Sequence, residues 1–157
     1  MIRIRIRRAQ PDEAATVTAI AQRSKAHWGY DAEFLATAAP ELTFSTEDLR
    51  RDEVWVVEVD GRIEGLHRID LTHPATLVDL WVDPAAIGSG HGRRLWDHAI
   101  SLARAAGATG LELDADPHAV GFYERMGARR IGTTASTLFP GRQLPRMRVD
   151  LRDEAAG

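Results

Sequence analysis

A single α/β domain is the fold class this sequence predicts, and three observations predict it. At 157 residues the chain is the size of one compact domain. Runs with apolar residues at every second position alternate with runs at helical spacing. Glycine or proline punctuates nearly every change from one period to the other. No internal repeat, low-complexity block or linker interrupts the series. Residues 1–152 are therefore expected to form the domain, and 153–157 a frayed tail.

The first strand opens the chain: Ile2, Ile4 and Ile6 share one face and arginines occupy the other. Pro11, with Asp12 and Glu13 behind it, starts a helix whose apolar positions Val17, Ile20 and Ala21 carry it to about Lys25. An aromatic break follows, His27-Trp28-Gly29-Tyr30, after which Asp31 caps a short helix through Leu35 that ends near Pro40. Ser45 with Asp48 forms a capping box for another brief helix. Val54–Val59 and Arg62 to about Leu71 flank Asp60-Gly61, a strong hairpin signal. Thr76–Val82 is a further strand, closed by Asp83-Pro84. Gly92–Ala106 is the longest helix, with Leu95, Ala99, Leu102, Ala103 and Ala106 as its buried stripe and Gly107 as its stop. Strand Thr109–Ala115, helix Pro117–Met126, strand Ala128–Thr134 and strand Arg146–Leu151 complete the order.

Composition excludes several function classes. Twenty basic residues against 23 acidic give a net charge of −3, which argues against a general nucleic-acid binder. Cysteine is absent, so thiol catalysis, a cysteinyl acyl-enzyme, cysteine-ligated zinc and iron–sulfur clusters are all excluded. No apolar run approaches the roughly 20 residues of a membrane span. The charged alternation at Met1–Arg7 suits a strand better than a signal or transit peptide, so the cytoplasm is the expected location. Neither nucleic acid nor membrane is expected as a partner.

Gly88-Ser89-Gly90-His91-Gly92-Arg93-Arg94 joins a strand to the start of the long helix. Unpaired N–H groups and a partial positive charge make such a start attractive to phosphate. Alternate glycines let the backbone approach an anion, and the arginines add charge. The plainer reading is a flexible connection. A dinucleotide fingerprint fails because position 93 is Arg, and a P-loop fails because Lys25, the only lysine, lies elsewhere.

These residues carry a family resemblance. Leu80-Trp81-Val82-Asp83-Pro84 followed by Ile87-Gly88-Ser89-Gly90-His91-Gly92-Arg93-Arg94-Leu95 resembles the acetyl-CoA motif of GCN5-related N-acetyltransferases, the GNAT superfamily. Asp116–Gly127, which contains Phe122-Tyr123-Glu124, is similar to the family's C-terminal Phe-Tyr-Glu-x-x-Gly segment. The order of elements along nearly the whole chain matches as well. The resemblance implies a GNAT-like fold, a central mixed sheet splayed open at an acetyl-CoA cleft and flanked by helices. It implies that Leu80, Trp81 and Val82 hold the pantetheine arm and thioester through their backbone. Gly88, Ser89, Gly90, His91, Gly92 and Arg93 would hold the pyrophosphate through N–H groups, and Asp116, Ala119 and Phe122 would contact acetyl-CoA from the second block. The sequence departs from the family at Ile87, where Gln or Arg is usual, and at Thr76, where many members carry a glutamate base.

Amine acetylation requires that an ammonium lose its proton, that the carbonyl oxygen find a donor, and that the leaving thiolate be protonated. Tyr123 is the natural acid, since a phenol stays protonated near neutral pH; its plainer reading is a half-buried packing residue. Asp79, on the face shared by Leu77 and Trp81, is the first candidate for the base, although an aspartate at such a place is ordinarily solvated. His67, His73 and an ordered water chain are alternatives. His67, Asp70 and His73 do not fall on one strand face, and the reaction needs no metal, so none is expected. His27, Trp28 and Tyr30 are candidates for acceptor contact, with a lid or a dimer contact as the alternatives. The acceptor is a small-molecule or peptide amine, and the resemblance also allows a homodimer. The competing function is a non-catalytic acyl-CoA sensor, motivated by Thr76.

Overall fold

The computed structural model describes residues 1–151. The tail expected at 153–157 lies outside the described residues, as does position 152. Seven strands form one open mixed sheet: β1 (Ile4–Arg8), β2 (Glu53–Val59), β3 (Arg62–Asp70), β4 (Ala75–Val82), β5 (Gly110–Asp114), β6 (Arg129–Ala135) and β7 (Gln143–Asp150). Their order in the sheet is β1-β2-β3-β4-β5-β7-β6. Five helices accompany them: α1 (Ala14–Ala26), α2 (Ala32–Ala38), α3 (Thr46–Arg51), α4 (His91–Ala105) and α5 (Val120–Arg125). Among the described residues no helix is long and apolar enough to cross a membrane.

The chain divides into two compact units. The first comprises Met1–Arg68 with Asp79–Trp96. In it β1 pairs antiparallel with β2, from Ile4 opposite Val59 to Arg8 opposite Trp55. Asp60 (φ 49°) and Gly61 (φ +84°) make the tight turn from β2 to β3, the left-handed pair that a two-residue hairpin needs. Val17, Ile20, Ala21, Val54, Val56, Val57, Leu66 and Leu95 are fully buried and form the core of this unit. Each Val, Ile or Leu side chain so buried contributes about 1.5–3 kcal/mol.

The second unit holds Ile69–Val78 and the chain from Asp97 onward. In it β4 pairs parallel with β5 over a short ladder: Ala75 faces Leu111 and Thr76 faces Glu112. β5 pairs antiparallel with β7, and β7 with β6, where a bulge lies between Arg130 and Gly132. Leu111, Leu113 and Met147 are its most buried large side chains.

Four expectations need correction. The isoleucines of the opening strand are not a buried face: Ile2 precedes β1, and Ile2 and Ile4 are exposed. β1 is an edge strand, and it is the arginine face that is tied down, by Arg7 to Glu13 (2.7 Å) and Glu58 (2.5 Å). Pro11–Glu13 is a separate 3-10 turn before α1, and Pro117–Ala119 is another before α5. In both places proline starts a turn that tightens before α-geometry begins. Ala106 lies past the end of α4 and is exposed, whereas Trp96 is buried, so the apolar stripe is rotated toward the indole. Gly107 (φ +80°) ends the helix as expected.

Candidate active site

Within the first unit, four pieces of the chain bring the candidate groups together. β4 alternates as period two requires: Ala75, Leu77 and Asp79 are buried, Val78 is exposed, and Leu80, Trp81 and Val82 are half-buried. β3 carries Gly65 beside Trp81. A Cβ at Gly65 would stand 2.9 Å from the Trp81 carbonyl oxygen, so only glycine lets the two backbones come this close. Glu64 extends the pairing, its carbonyl accepting from the Asp83 N–H (2.9 Å).

Asp79 is buried rather than solvated, with 8% of its surface exposed. Trp81 Nε1 donates to its Oδ1 at 3.0 Å, and Arg68 Nη1 lies 3.9 Å from Oδ2. Burial raises the Asp79 carboxyl to about 6; the Trp81 hydrogen bond and the Arg68 charge pull it back only in part. Arg68 is divided among carboxylates, bonding Asp52 and lying 3.7 Å from Asp48, which limits what it gives to Asp79.

The chain after β4 makes a 3-10 turn, Pro84–Ala86, capped by Asp83 and followed by the glycine loop. Gly88 (φ +89°) and Gly90 (φ +86°) are both left-handed, and a Cβ at Gly88 would meet nothing within 4 Å. The backbone there is open, and the first-turn N–H groups of the 15-residue α4 have no carbonyl one turn earlier inside the helix. An amide cradle of this kind suits a pyrophosphate. Arg93 is exposed beside it.

The Arg94 guanidinium, which the sequence counted toward the charge of the loop, and the His91 ring are both used inside the protein. His91 is buried, its Nε2 2.9 Å from Glu64 Oε1, so only its backbone N–H is available to a ligand. His91 and Arg62 together hold the Glu64 carboxyl below the usual range. Arg94 folds back over the loop, donating from Nη1 to the Ser89 carbonyl at 2.7 Å and lying 3.0 Å from His91 Nδ1. Ser89 Oγ donates to the Ala86 carbonyl. The loop is thus braced from within, and the Ser89 N–H also donates inward, to the Ala86 carbonyl at 3.2 Å, so the sequence-based assignment of that N–H to a pyrophosphate does not hold.

The aromatic loop falls in the same unit. His27 and Trp28 meet edge to face at 5.7 Å, and both are exposed. Tyr30 stacks on Phe34, 4.0 Å between ring centres. Asp31 accepts from the Phe34 N–H (2.8 Å), which fixes where α2 starts and so where that ring lies. Lys25 Nζ lies 5.0, 5.7 and 6.0 Å from the ring centres of Tyr30, Phe34 and Trp81, at the edge of the stacked Tyr30–Phe34 pair. Sequence reasoning missed Lys25, Phe34, Arg68 and Glu64. The signal for the first two was present, a lone lysine five residues before a tyrosine that is followed at i+4 by phenylalanine.

Tyr123, Phe122, Ala119 and Asp116 belong to the second unit. Tyr123 is buried and meets Phe122 edge to face at 5.2 Å. Asp116 caps its turn, accepting from the His118 N–H at 2.8 Å, with Arg142 at 3.7 Å. Of the other proposed bases, His67 is fully buried on β3, and His73 is exposed in the loop before β4. Thr76 donates its hydroxyl to the Pro74 carbonyl (3.1 Å), so nothing at that position replaces a glutamate.

The chain is similar in family and fold to known proteins. A model of the acetyltransferase (GNAT) family matches residues 19–128. Among solved structures, a GCN5-related N-acetyltransferase from Rhodopseudomonas palustris superimposes with a TM-score of 0.80 at 22% identity, covering 94% of this chain and 95% of that one. The PaiA N-acetyltransferase of Thermoplasma acidophilum, solved in complex with coenzyme A, gives 0.78 at 16% identity over 94% and 99%. YncA from Salmonella typhimurium, a putative acetyltransferase solved with its cofactor acetyl-CoA, gives 0.67 at 20% identity over 99% and 98%.

Proposed function

The chain belongs to the acetyltransferase (GNAT) family, and from that premise we propose that it transfers an acetyl group from acetyl-CoA directly to a primary amine of a small molecule or peptide. Acetyl-CoA supplies the acetyl group activated as a thioester. The chain's own residues supply the rest. The N–H groups of Gly88, Gly90, His91, Gly92 and Arg93 take the pyrophosphate, with Arg93 adding charge, while the Ser89 N–H stays on the Ala86 carbonyl. The backbone of Leu80, Trp81 and Val82 takes the pantetheine arm as an added strand would, and aims an N–H at the carbonyl oxygen. Asp79 accepts the proton of the incoming ammonium, Tyr123 gives one to the departing sulfur, and His27, Trp28 and Tyr30 receive the acceptor. Asp116, Ala119 and Phe122 complete the acetyl-CoA contacts in this reading.

The observation that carries the proposal is Asp79. A buried carboxyl raised to about 6, on the strand assigned to the thioester, is a base matched to neutral pH. A protein that only sensed acyl-CoA would have no use for such a group, so Asp79 weighs against the sensor reading that Thr76 suggested. The test is thiol release from acetyl-CoA with a panel of primary amines. Turnover should occur with at least one amine and fall about 10²-fold in Asp79→Asn. Acetyl-CoA binding with no thiol release above background for any amine would leave the sensor as the better account.

A further inference from the structure

Arg68, on β3, is a charge to which the reaction above gives no part. Its side chain is 19% exposed, and a guanidinium so enclosed is stable only with carboxylates around it. Three stand there. Nη2 bonds Asp52 and lies 3.7 Å from Asp48 Oδ1, while Nη1 lies 3.9 Å from Asp79 Oδ2. The Cζ atom is 5.3 Å from the ring centre of the buried Phe44, which takes the apolar side of the group. The two Nη atoms of one planar fork therefore face different carboxylates.

Those carboxylates are not held alike. Asp48 accepts from the Ser45 N–H at 2.8 Å in the capping box of α3, and from Arg51 Nη2 at 2.7 Å. Asp52 accepts from Arg51 Nε at 3.0 Å, and Arg51 with Arg68 holds its carboxyl down at about 2. Both are ionised and fixed near neutral pH, so they anchor Nη2. Asp79 has the Trp81 indole on Oδ1 and the approach of Nη1 to Oδ2. Of the charged groups that act on it, Arg68 favours the carboxylate, and Glu41 of the turn Ala39–Leu42 opposes it.

We propose that Arg68 is a positioning residue of the reaction, held back from Asp79 by Asp48 and Asp52 so that its charge steadies the Asp79 carboxylate without occupying it; the proposal rests on the acetyltransferase reading above. The distance carries the argument. At 3.9 Å an N–H does not hydrogen-bond an oxygen, but a unit charge still acts on it. A closed ion pair at about 2.8 Å would hold the carboxylate ionised and take up the Oδ2 lone pair, which makes a poor proton acceptor. With no cation beside it, the buried carboxyl would keep its proton and could accept no other. The rigid fork connects the two ends, because anchoring Nη2 on Asp52 fixes where Nη1 stands. The C-terminal end of α3, which is remote from the strand assigned to the thioester in sequence, therefore governs how readily Asp79 takes the ammonium proton.

The test is the pH profile of kcat/KM at saturating acetyl-CoA for the full chain and three variants, Arg68→Gln, Arg68→Lys and Asp52→Asn. One amine serves throughout, so its own titration is common to all four. Arg68→Gln removes the cation and should move the acidic limb up by about one pH unit, the lower end of what a neighbouring arginine does to a carboxylate. Arg68→Lys keeps the charge and should return the limb toward the parent. Asp52→Asn frees Nη2, lets the guanidinium close on Asp79, and should move the limb down. Lost packing alone would not shift the two in opposite directions. An unmoved limb in Arg68→Gln, shifts of one sign in Arg68→Gln and Asp52→Asn, or a kcat lowered at every pH with the limb in place overturns the proposal. A second measurement needs neither amine nor acetyl-CoA. In protein labelled with carbon-13 at the aspartate carboxyl, the Asp79 signal is the one lost in Asp79→Asn, and its titration midpoint should follow the same order. Where Arg68→Gln does not fold, Asp52→Asn carries the test, and an unmoved Asp79 midpoint in it overturns the proposal. Turnover with these shifts absent would sink this inference and leave the acetyltransferase reading intact. No turnover with any amine would remove both, wherever the Asp79 midpoint lies.

Discussion

Asp79 is held where a carboxylate is costly, and the cost has a pH signature. Its carboxyl stands at about 6 in the fold against an ordinary 3.8. Between those values the unfolded chain releases a proton that the folded chain keeps. Stability from this group is therefore complete below pH 3.8, falls as pH rises toward 6, and stays lower above it, by about 3 kcal/mol. Asp79→Asn keeps an acceptor for the Trp81 indole and removes the charge. The variant should be more stable than the parent at pH 8, by up to about 3 kcal/mol, with the gap closing at acid pH; thermal melts across that range check it. The same carboxyl should set the acidic limb of kcat/KM near its own value. Tyr123→Phe is the complementary probe, because the ring and its edge-to-face contact with Phe122 are kept while the hydroxyl is lost. If the hydroxyl serves the departing sulfur, kcat falls by about 10²-fold while the acetyl-CoA Kd is unchanged. A kcat within twofold of the parent, where chemistry limits the rate, reduces Tyr123 to packing.

At the scale of elements, the loop between β4 and α4 is where the sequence and the structure are most informative together. Changing Gly90→Asp would set a Cβ 3.4 Å from the Arg94 guanidinium, which would partly neutralise the new charge. Gly88→Asp is the cleaner probe, since nothing lies within 4 Å of the added Cβ. It should weaken acetyl-CoA at least tenfold by calorimetry, at a cost of roughly 1–2 kcal/mol for a side chain in left-handed backbone. Unchanged binding would take the loop out of the site. Local signals were legible because each depends on adjacent residues: the Ser45–Asp48 capping box, the Asp31 cap, the Asp60-Gly61 turn and the Gly107 stop all appear where the sequence puts them. What was not legible depends on distant partners. That Glu64, 27 residues away, takes the His91 ring could not be read from the residues around His91. Arg94 looked available until the loop turned its guanidinium back on Ser89. Alternation put Asp79 on the face of Leu77, but its burial was not legible, because the charge that stands beside it, Arg68 at 3.9 Å, comes from β3.

At the scale of the whole molecule, the tryptophans provide a test of whether the chain behaves as the single domain that its length and patterning suggest. Trp28, Trp55, Trp81 and Trp96 are the four tryptophans of the sequence. All four belong to the first compact unit, Met1–Arg68 with Asp79–Trp96. Tryptophan fluorescence therefore reports one unit, while far-ultraviolet circular dichroism reports helices and strands of both. Three elements, β3, β4 and α4, contribute residues to each unit. Melting one unit alone would break the hydrogen-bond ladders of two strands and a helix in mid-element, which makes partial unfolding expensive. Urea transitions followed by the two probes should coincide. Acetyl-CoA at about 100 times its Kd should then shift both midpoints together, adding about 2.7 kcal/mol of stability, even though the loop assigned to its pyrophosphate lies in the first unit. If the fluorescence transition moves with acetyl-CoA while part of the dichroism transition stays behind, the two units unfold separately and the chain is not one cooperative domain.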